Sequence, residues 1–304
     1  MKKIAIEEHF HEEQFDLIEK RLSDMDKANL DMQVLSSFLK PEVQISKTEA
    51  TSWSINMNNN LSKVVEKYPK RFASFAALAL QDPDAAAKEL ERAVKHLGFK
   101  GTLIGHEIRG SYLDNEKYSG LLETAEKLNV PIYIHATEPS PDTIKPYLDY
   151  PILRRGMWGF AAETGLHAMR LICSGIFNKY PDLKIILGHM GEGIPFWLWR
   201  IDSCWEKETL RPFDKKVGEE FAKNFQKKPS QYFKDNFYVT TSGIFWQPAL
   251  QVVYSALGAD KILFAVDYPA ESPAEAVHFM DSASICDTDK EKIFHFNAEK
   301  LLKM

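Results

Sequence analysis

Lys2-Lys3-Ile4-Ala5-Ile6-Glu7-Glu8-His9-Phe10 opens the chain, an apolar run that ends in a carboxylate and an imidazole two residues apart. Such a run predicts a β-strand. Side chains alternate along a strand, which puts Glu7 and His9 on one face and Ile4, Ile6 and Glu8 on the other. At a strand's C-terminal end that pair can grip a divalent ion from one side. Glu-x-His is also an ordinary surface pair, so the metal reading needs further ligands from elsewhere in the chain.

Seven more apolar runs follow, at residues 32–37, 72–80, 99–105, 130–135, 183–189, 236–242 and 261–267. Helical patterns lie between them. Residues 12–28 carry Phe15, Ile18, Leu22 and Met25 on one helical face, and a second helix through Asn58 stops at Tyr68 before Pro69. Asp82-Pro83 and Gly98 bracket a third. Further helices are expected at 115–128, 151–180, 247–257, 274–284 and 289–302. Eight strands alternating with helices predict an α/β protein, a parallel (β/α)8 TIM barrel forming a single domain over residues 1–304. The stretch from Gly191 to Asp235 is longer than a crossover needs, so extra helices are expected after strand six as well as at the C-terminus. Its aromatics Phe196, Trp197, Trp199 and Trp205 suit either a cover for the barrel mouth or a contact between subunits.

Composition narrows the function classes. With 304 residues, 44% hydrophobic and 27% charged, the chain can bury a large core. A net charge of −5 with scattered lysines argues against a nucleic-acid partner. No apolar run reaches the ~20 residues of a membrane span and the N-terminus enters a strand directly, so a cytoplasmic protein without membrane contact is expected. Cys173, Cys204 and Cys286 have no metal-site spacing and read as buried, reduced thiols.

The C-terminal ends of the predicted strands collect the polar residues: Glu7, His9, His106, His135, His189 and Asp267. In this architecture the βα-loops at those ends form one concave mouth, where catalytic groups gather. His135 and His106 suit either strand capping or substrate contact. His189 lies in the glycine-flanked turn Gly188-His189-Met190-Gly191-Glu192, where backbone and ligand can approach closely. Asp267 follows a buried apolar run, so its carboxylate needs a cation or hydrogen bonds. His167, inside Gly165-Leu166-His167-Ala168-Met169, reads from pattern alone as a satisfied core histidine.

In order along the chain, Ile6-Glu7-Glu8-His9-Phe10, Trp158-Gly159-Phe160, Glu163-Thr164, His167, Gly188-His189-Met190-Gly191-Glu192 and Asp267-Tyr268-Pro269 resemble the motifs of the amidohydrolase superfamily. The resemblance is strongest to its branch of aminocarboxymuconate-semialdehyde and γ-resorcylate (2,6-dihydroxybenzoate) decarboxylases. It implies one divalent ion, Zn2+ or Mn2+, held by Glu7, His9, His167 and Asp267, and so turns His167 from core residue into ligand. It also implies that Asp267, protonated once substrate is bound, delivers a proton to the ring. His189, oriented by Glu192, would serve the phenolic oxygen, with Arg200 near the substrate and Trp158 and Phe160 as pocket walls. For Arg200 an ion pair with Asp202 or Glu206 is the competing reading, and for the two aromatics a place in the core.

Two departures concern the mouth. The branch commonly carries Ser-Gly-Asn-Phe after strand seven where this chain has Ser242-Gly243-Ile244-Phe245, and an aromatic residue where Ala270 stands. What the resemblance implies is a metal-dependent carbon–carbon lyase, a nonoxidative decarboxylase of a small hydroxylated aromatic or related unsaturated acid, working as a homodimer or homotetramer. The alternatives are a metal-dependent hydrolase of a lactone or amide on the same fold and, more remotely, a catalytically silent metal- or ligand-binding barrel.

Overall fold

The computed structural model describes residues 1–38, 45–105, 110–139, 143–210, 218–219 and 222–304. The candidate His106 lies outside the described residues. β1 (Ile4–His9), β2 (Met32–Ser36) and β3 (Phe72–Ser74) form one parallel sheet. β4 (Thr102–Gly105), β5 (Ile132–His135), β6 (Ile185–Leu187), β7 (Phe237–Thr240) and β8 (Ile262–Leu263) form another. The sheets close on each other through bridges between Ala76 and Thr102 and between Glu8 and Tyr268. Asp267 N–H donates to the Glu7 carbonyl at 2.9 Å, so the first and eighth strands meet where the polar residues lie. The result is the (β/α)8 barrel that the alternation predicts.

Ile4, Ile6, Phe75, Tyr133 and Ile186 fill the barrel, while Ala5, Leu35, Ile134 and Leu187 face the surrounding helices. β1 departs from simple alternation. Ala5 pairs with Gln33 but Glu8 with Leu35, so β1 holds one residue more than β2 over the same span, a β-bulge. The extra residue corrects the expected facing. Glu7 and His9 do share a side opposite Glu8, but Ile4 and Ile6 lie on that same inner side.

The helices follow their local signals with some breaks. The helix expected at 12–28 is a 3-10 turn (Glu12–Leu17) followed by α1 (Ile18–Lys27). α2 (Lys47–Lys67) starts well before Asn58, at a capping box in which the Ser46 side chain and Glu49 exchange bonds. α3 (Pro83–Leu97) begins at Asp82, which accepts from Ala85 N–H, and ends at Gly98 in the left-handed region. α4 (Ser119–Leu128) precedes β5. The long stretch expected at 151–180 is a 3-10 turn, then α5 (Gly159–Cys173) and α6 (Ile176–Lys179), split where Gly175 takes φ 80°.

The connection after β6 holds α7 (Ile194–Leu210) and α8 (Pro229–Asn236). On α7, Phe196, Trp197 and Trp199 are 68%, 51% and 79% exposed, so they do not pack beneath the barrel mouth. α9 (Gln247–Leu257), α10 (Pro273–Asp281), α11 (Asp287–Glu291) and α12 (Asn297–Leu302) complete the chain. The cysteines are free, but the expectation of burial fails: Cys204 and Cys286 are exposed and Cys173 is half-buried, because all three lie on or beside the outer helices. Among the described residues no helix is long and apolar enough to cross a membrane.

Candidate metal centre

Glu7 and His9 reach the barrel mouth from β1, His135 from the last position of β5, and Asp267 from the turn after β8. One ligand atom from each lies within 4.8 Å of the others. His9 Nε2 is 3.0 Å from Asp267 Oδ1, and His135 Nε2 is 3.2 Å from Glu7 Oε1. Glu7, His9 and His135 are buried and Asp267 is partly so, and among the described residues Glu7 Oε1, His9 Nε2 and His135 Nε2 have no hydrogen-bond partner. Buried polar atoms carry a desolvation cost when unpartnered. Two carboxylates and two imidazoles converging in this way fit a divalent cation, and their donor types suit Mn2+ or Zn2+.

His135 stands where the resemblance had placed His167. His167 is fully buried on α5, outside the barrel wall, and its Nε2 accepts from Leu113 N–H at 3.0 Å, with the Tyr112 ring edge-on at 5.3 Å. Its imidazole is therefore a packed and bonded core group, as its helical pattern suggested. The signal for His135 was its place at a strand end, which the helix position of His167 lacks.

His189 and Glu192 occupy a tight left-handed turn after β6, with His189, Met190, Gly191 and Glu192 at φ 49°, 56°, 74° and 54°. Consecutive left-handed residues are costly outside glycine, and such conformations gather at functional sites. Gly191 is required here, because a Cβ would stand 2.7 Å from Val239 Cγ1. The turn brings His189 Nδ1 to 2.8 Å from Glu192 Oε1 and leaves Nε2 3.6 Å from Glu7 Oε1 and 3.8 Å from Asp267 Oδ2.

The charges support one another. Burial pushes the Glu7 carboxyl up, but His189 and His135 outweigh it and hold Glu7 at about 2. Burial opposes charge on His189 too, yet Glu192 and Glu7 raise it well above the usual imidazole range. Asp267 is held below the ordinary carboxylate range, since attraction to His189 and His9 overcomes its burial. Burial and His135 keep His9 below its usual value and so neutral, the form a metal needs. Any upward push on Asp267 must therefore come from what binds.

The remaining candidates lie apart from this convergence. Arg200 is exposed on α7 and lines a surface groove with Leu166, Met169, Trp197 and Cys204. Its competing ion pairs are not formed, for Asp202 accepts from Ser230 and Glu206 pairs with Lys228. Trp158 is 62% exposed at the start of α5 and Phe160 half-buried, which corrects the expectation of a Trp158 pocket wall. Phe38 instead approaches the site, its ring 5.8 Å from His9 and 5.3 Å from His135.

Sequence reasoning also missed the hydroxyls of Tyr133, Thr240 and Ser242, which surround the second oxygen of Glu7. They were visible as polar residues at alternate positions of apolar strands, Tyr133 two before His135 and Thr240 two before Ser242.

Residues 6–304 match the family described as Amidohydrolase. A γ-resorcylate decarboxylase of Polaromonas sp. (strain JS666) is 38% identical, over 99% of this chain and 98% of the relative. A crystal structure of 2,6-dihydroxybenzoate decarboxylase complexed with 2,6-dihydroxybenzoate superposes with a TM-score of 0.88 at 34% identity, covering 100% of both chains. A dihydroxybenzoic acid decarboxylase from Polaromonas sp. JS666, solved with manganese and the inhibitor 2-nitroresorcinol, gives a TM-score of 0.87 at 38% identity, over 99% of this chain and 97% of that one.

Proposed function

The chain belongs to the amidohydrolase family, and from that premise we propose that it is a metal-dependent nonoxidative decarboxylase of a small hydroxylated aromatic carboxylic acid. The observation that carries the reading is the convergence of Glu7, His9, His135 and Asp267 beside the His189–Glu192 pair. Manganese, which the Polaromonas structure holds, is the ion of choice for this site. When bound, the ion held by Glu7, His9, His135 and Asp267 would neutralise negative charge on the substrate acid and help to fix it in place.

The protein's own groups do the rest. Asp267 turns Oδ1 toward His9 and Oδ2 toward His189, so one carboxylate has an oxygen for the ligand cluster and an oxygen for proton transfer. It gives its proton to the ring carbon that bears the carboxylate. The bond to that carbon then breaks, its electron pair returns to the ring, CO2 leaves, and Asp267 regains a proton from solvent. His189, kept cationic by Glu192, hydrogen-bonds the phenolic oxygen as charge develops on it.

The hydrolase reading has the same ligands but lacks support from the compared relatives, which are decarboxylases. A cytoplasmic homodimer or homotetramer completes the proposal, with the exposed Phe196, Trp197 and Trp199 as its contact. The test is CO2 release from a panel of ortho-hydroxybenzoates, after chelation and restoration of Mn2+. Release that needs Mn2+ and disappears in His135→Ala is the expected result. Lactone hydrolysis without CO2 from any acid overturns it.

A further inference from the structure

Glu7 is fully buried, and its two oxygens live in different surroundings. Oε1 faces His135 and His189 and has no hydrogen-bond partner among the described residues. Oε2 accepts from the hydroxyls of Tyr133 on β5, Thr240 at the end of β7 and Ser242 just beyond it. The hydroxyls also touch one another, Thr240 Oγ1 lying 3.0 Å from Tyr133 Oη and 2.8 Å from Ser242 Oγ. Ser242 Oγ in turn accepts from the backbone N–H of His189 at 3.2 Å. Gly188 completes the enclosure, since a Cβ there would stand 3.1 Å from Oε2 and 3.4 Å from Tyr133 Oη.

We infer that Tyr133, Thr240 and Ser242 are positioning residues that dedicate Glu7 Oε2 to the protein, so that Glu7 offers the metal Oε1 alone. The inference rests on the metal reading above. Three donors aimed at one oxygen match a carboxylate, which only accepts. An imidazole at this place has a single acceptor nitrogen and leaves at least two of those hydroxyls without it. The cradle therefore makes position 7 specific for a carboxylate, and it keeps Glu7 to one coordination position, leaving others for substrate. Through Ser242 it also fixes the backbone of His189, so ligand and proton-handling group share one support.

The experiment titrates metal-free protein with Mn2+, reads affinity by calorimetry, and records the EPR spectrum of the bound ion. Tyr133→Phe and Ser242→Ala should each weaken Mn2+ binding about 10- to 100-fold, as loss of a bond to a ligand does, and change the spectrum. Thr240→Val should do the same and Thr240→Ser, which keeps the hydroxyl, should not. Thr241→Val is the structural control. Thr241 is equally buried and adjacent, but its hydroxyl serves Ala265 of the β8 segment. It should lower thermal stability and leave Mn2+ affinity within about twofold, below the range for a lost ligand bond.

If Tyr133→Phe fails to fold, Ser242→Ala and the Thr240 pair carry the comparison. Cradle variants that bind as wild type does, or a Thr241→Val that loses as much affinity, overturn the inference alone. Wild-type protein that binds Mn2+ but releases no CO2 overturns only the decarboxylase reading. Wild-type protein that binds no Mn2+ overturns both.

Discussion

His135 and His167 are both buried histidines, and they separate by what their ring nitrogens meet. His167 Nε2 is bonded to Leu113 N–H, whereas His135 Nε2 points at Glu7 Oε1. His135→Ala should therefore reduce Mn2+ affinity by at least about 10-fold, and His167→Ala should cost mainly stability, checked by titration and urea unfolding of both variants. At the same scale, Glu192 raises the proton affinity of His189 at 2.8 Å. Removing that charge with Glu192→Gln lets His189 lose its proton at lower pH. The alkaline limb of kcat/KM should then move to lower pH, and a limb that stays in place overturns the assignment of that limb to His189. The strand-end residues were legible because strand ends are where a barrel exposes polar groups. Their partners were less so, since hydrogen bonds from Tyr133, Thr240 and Ser242 cross between strands far apart in sequence.

At the scale of elements, Arg21 on α1 ties the ligand strand in place. Only 2% exposed, it donates to Gln33 Oε1 at 3.0 Å, to Gln14 Oε1 at 2.9 Å and to the His9 carbonyl, and its guanidinium covers the Tyr268 ring. Gln33 passes the chain on to Glu8, whose other oxygen accepts from Val266 N–H at 3.1 Å. This network binds the bulged β1 to β2 and to the segment that carries Asp267. Arg21→Met leaves the buried acceptors on Gln33, Gln14 and the His9 carbonyl without their donor and should cost about 1–3 kcal/mol for each one left unpartnered, measured by urea unfolding. The strands themselves were readable as apolar runs, but the bulge was not. All six residues of β1 are buried, so no exposed face marks where the alternation slips.

The whole molecule feels the same centre through linkage. A divalent ion at Glu7, His9, His135 and Asp267 would join the three-stranded sheet to the five-stranded one at the barrel's mouth. At a hundred times its Kd the ion should stabilise the fold by about 2.7 kcal/mol, a rise of about 4 °C in Tm for a chain of this size. Scanning calorimetry before and after chelation reads that shift, and its absence with Mn2+ bound would mean that the ion binds the unfolded chain equally well. Acid acts on the metal-free protein in a definite direction. Glu7 is held at about 2 against an ordinary 4.5, so its stabilisation is complete above pH 4.5 and is lost as pH falls from there toward 2. Over that window one proton costs about 1.4 kcal/mol per pH unit. Glu7→Gln removes this proton, so the variant should lose less stability than wild type between pH 4.5 and pH 2. Equal losses in urea unfolding would show that Glu7 is not held ionised by His189 and His135.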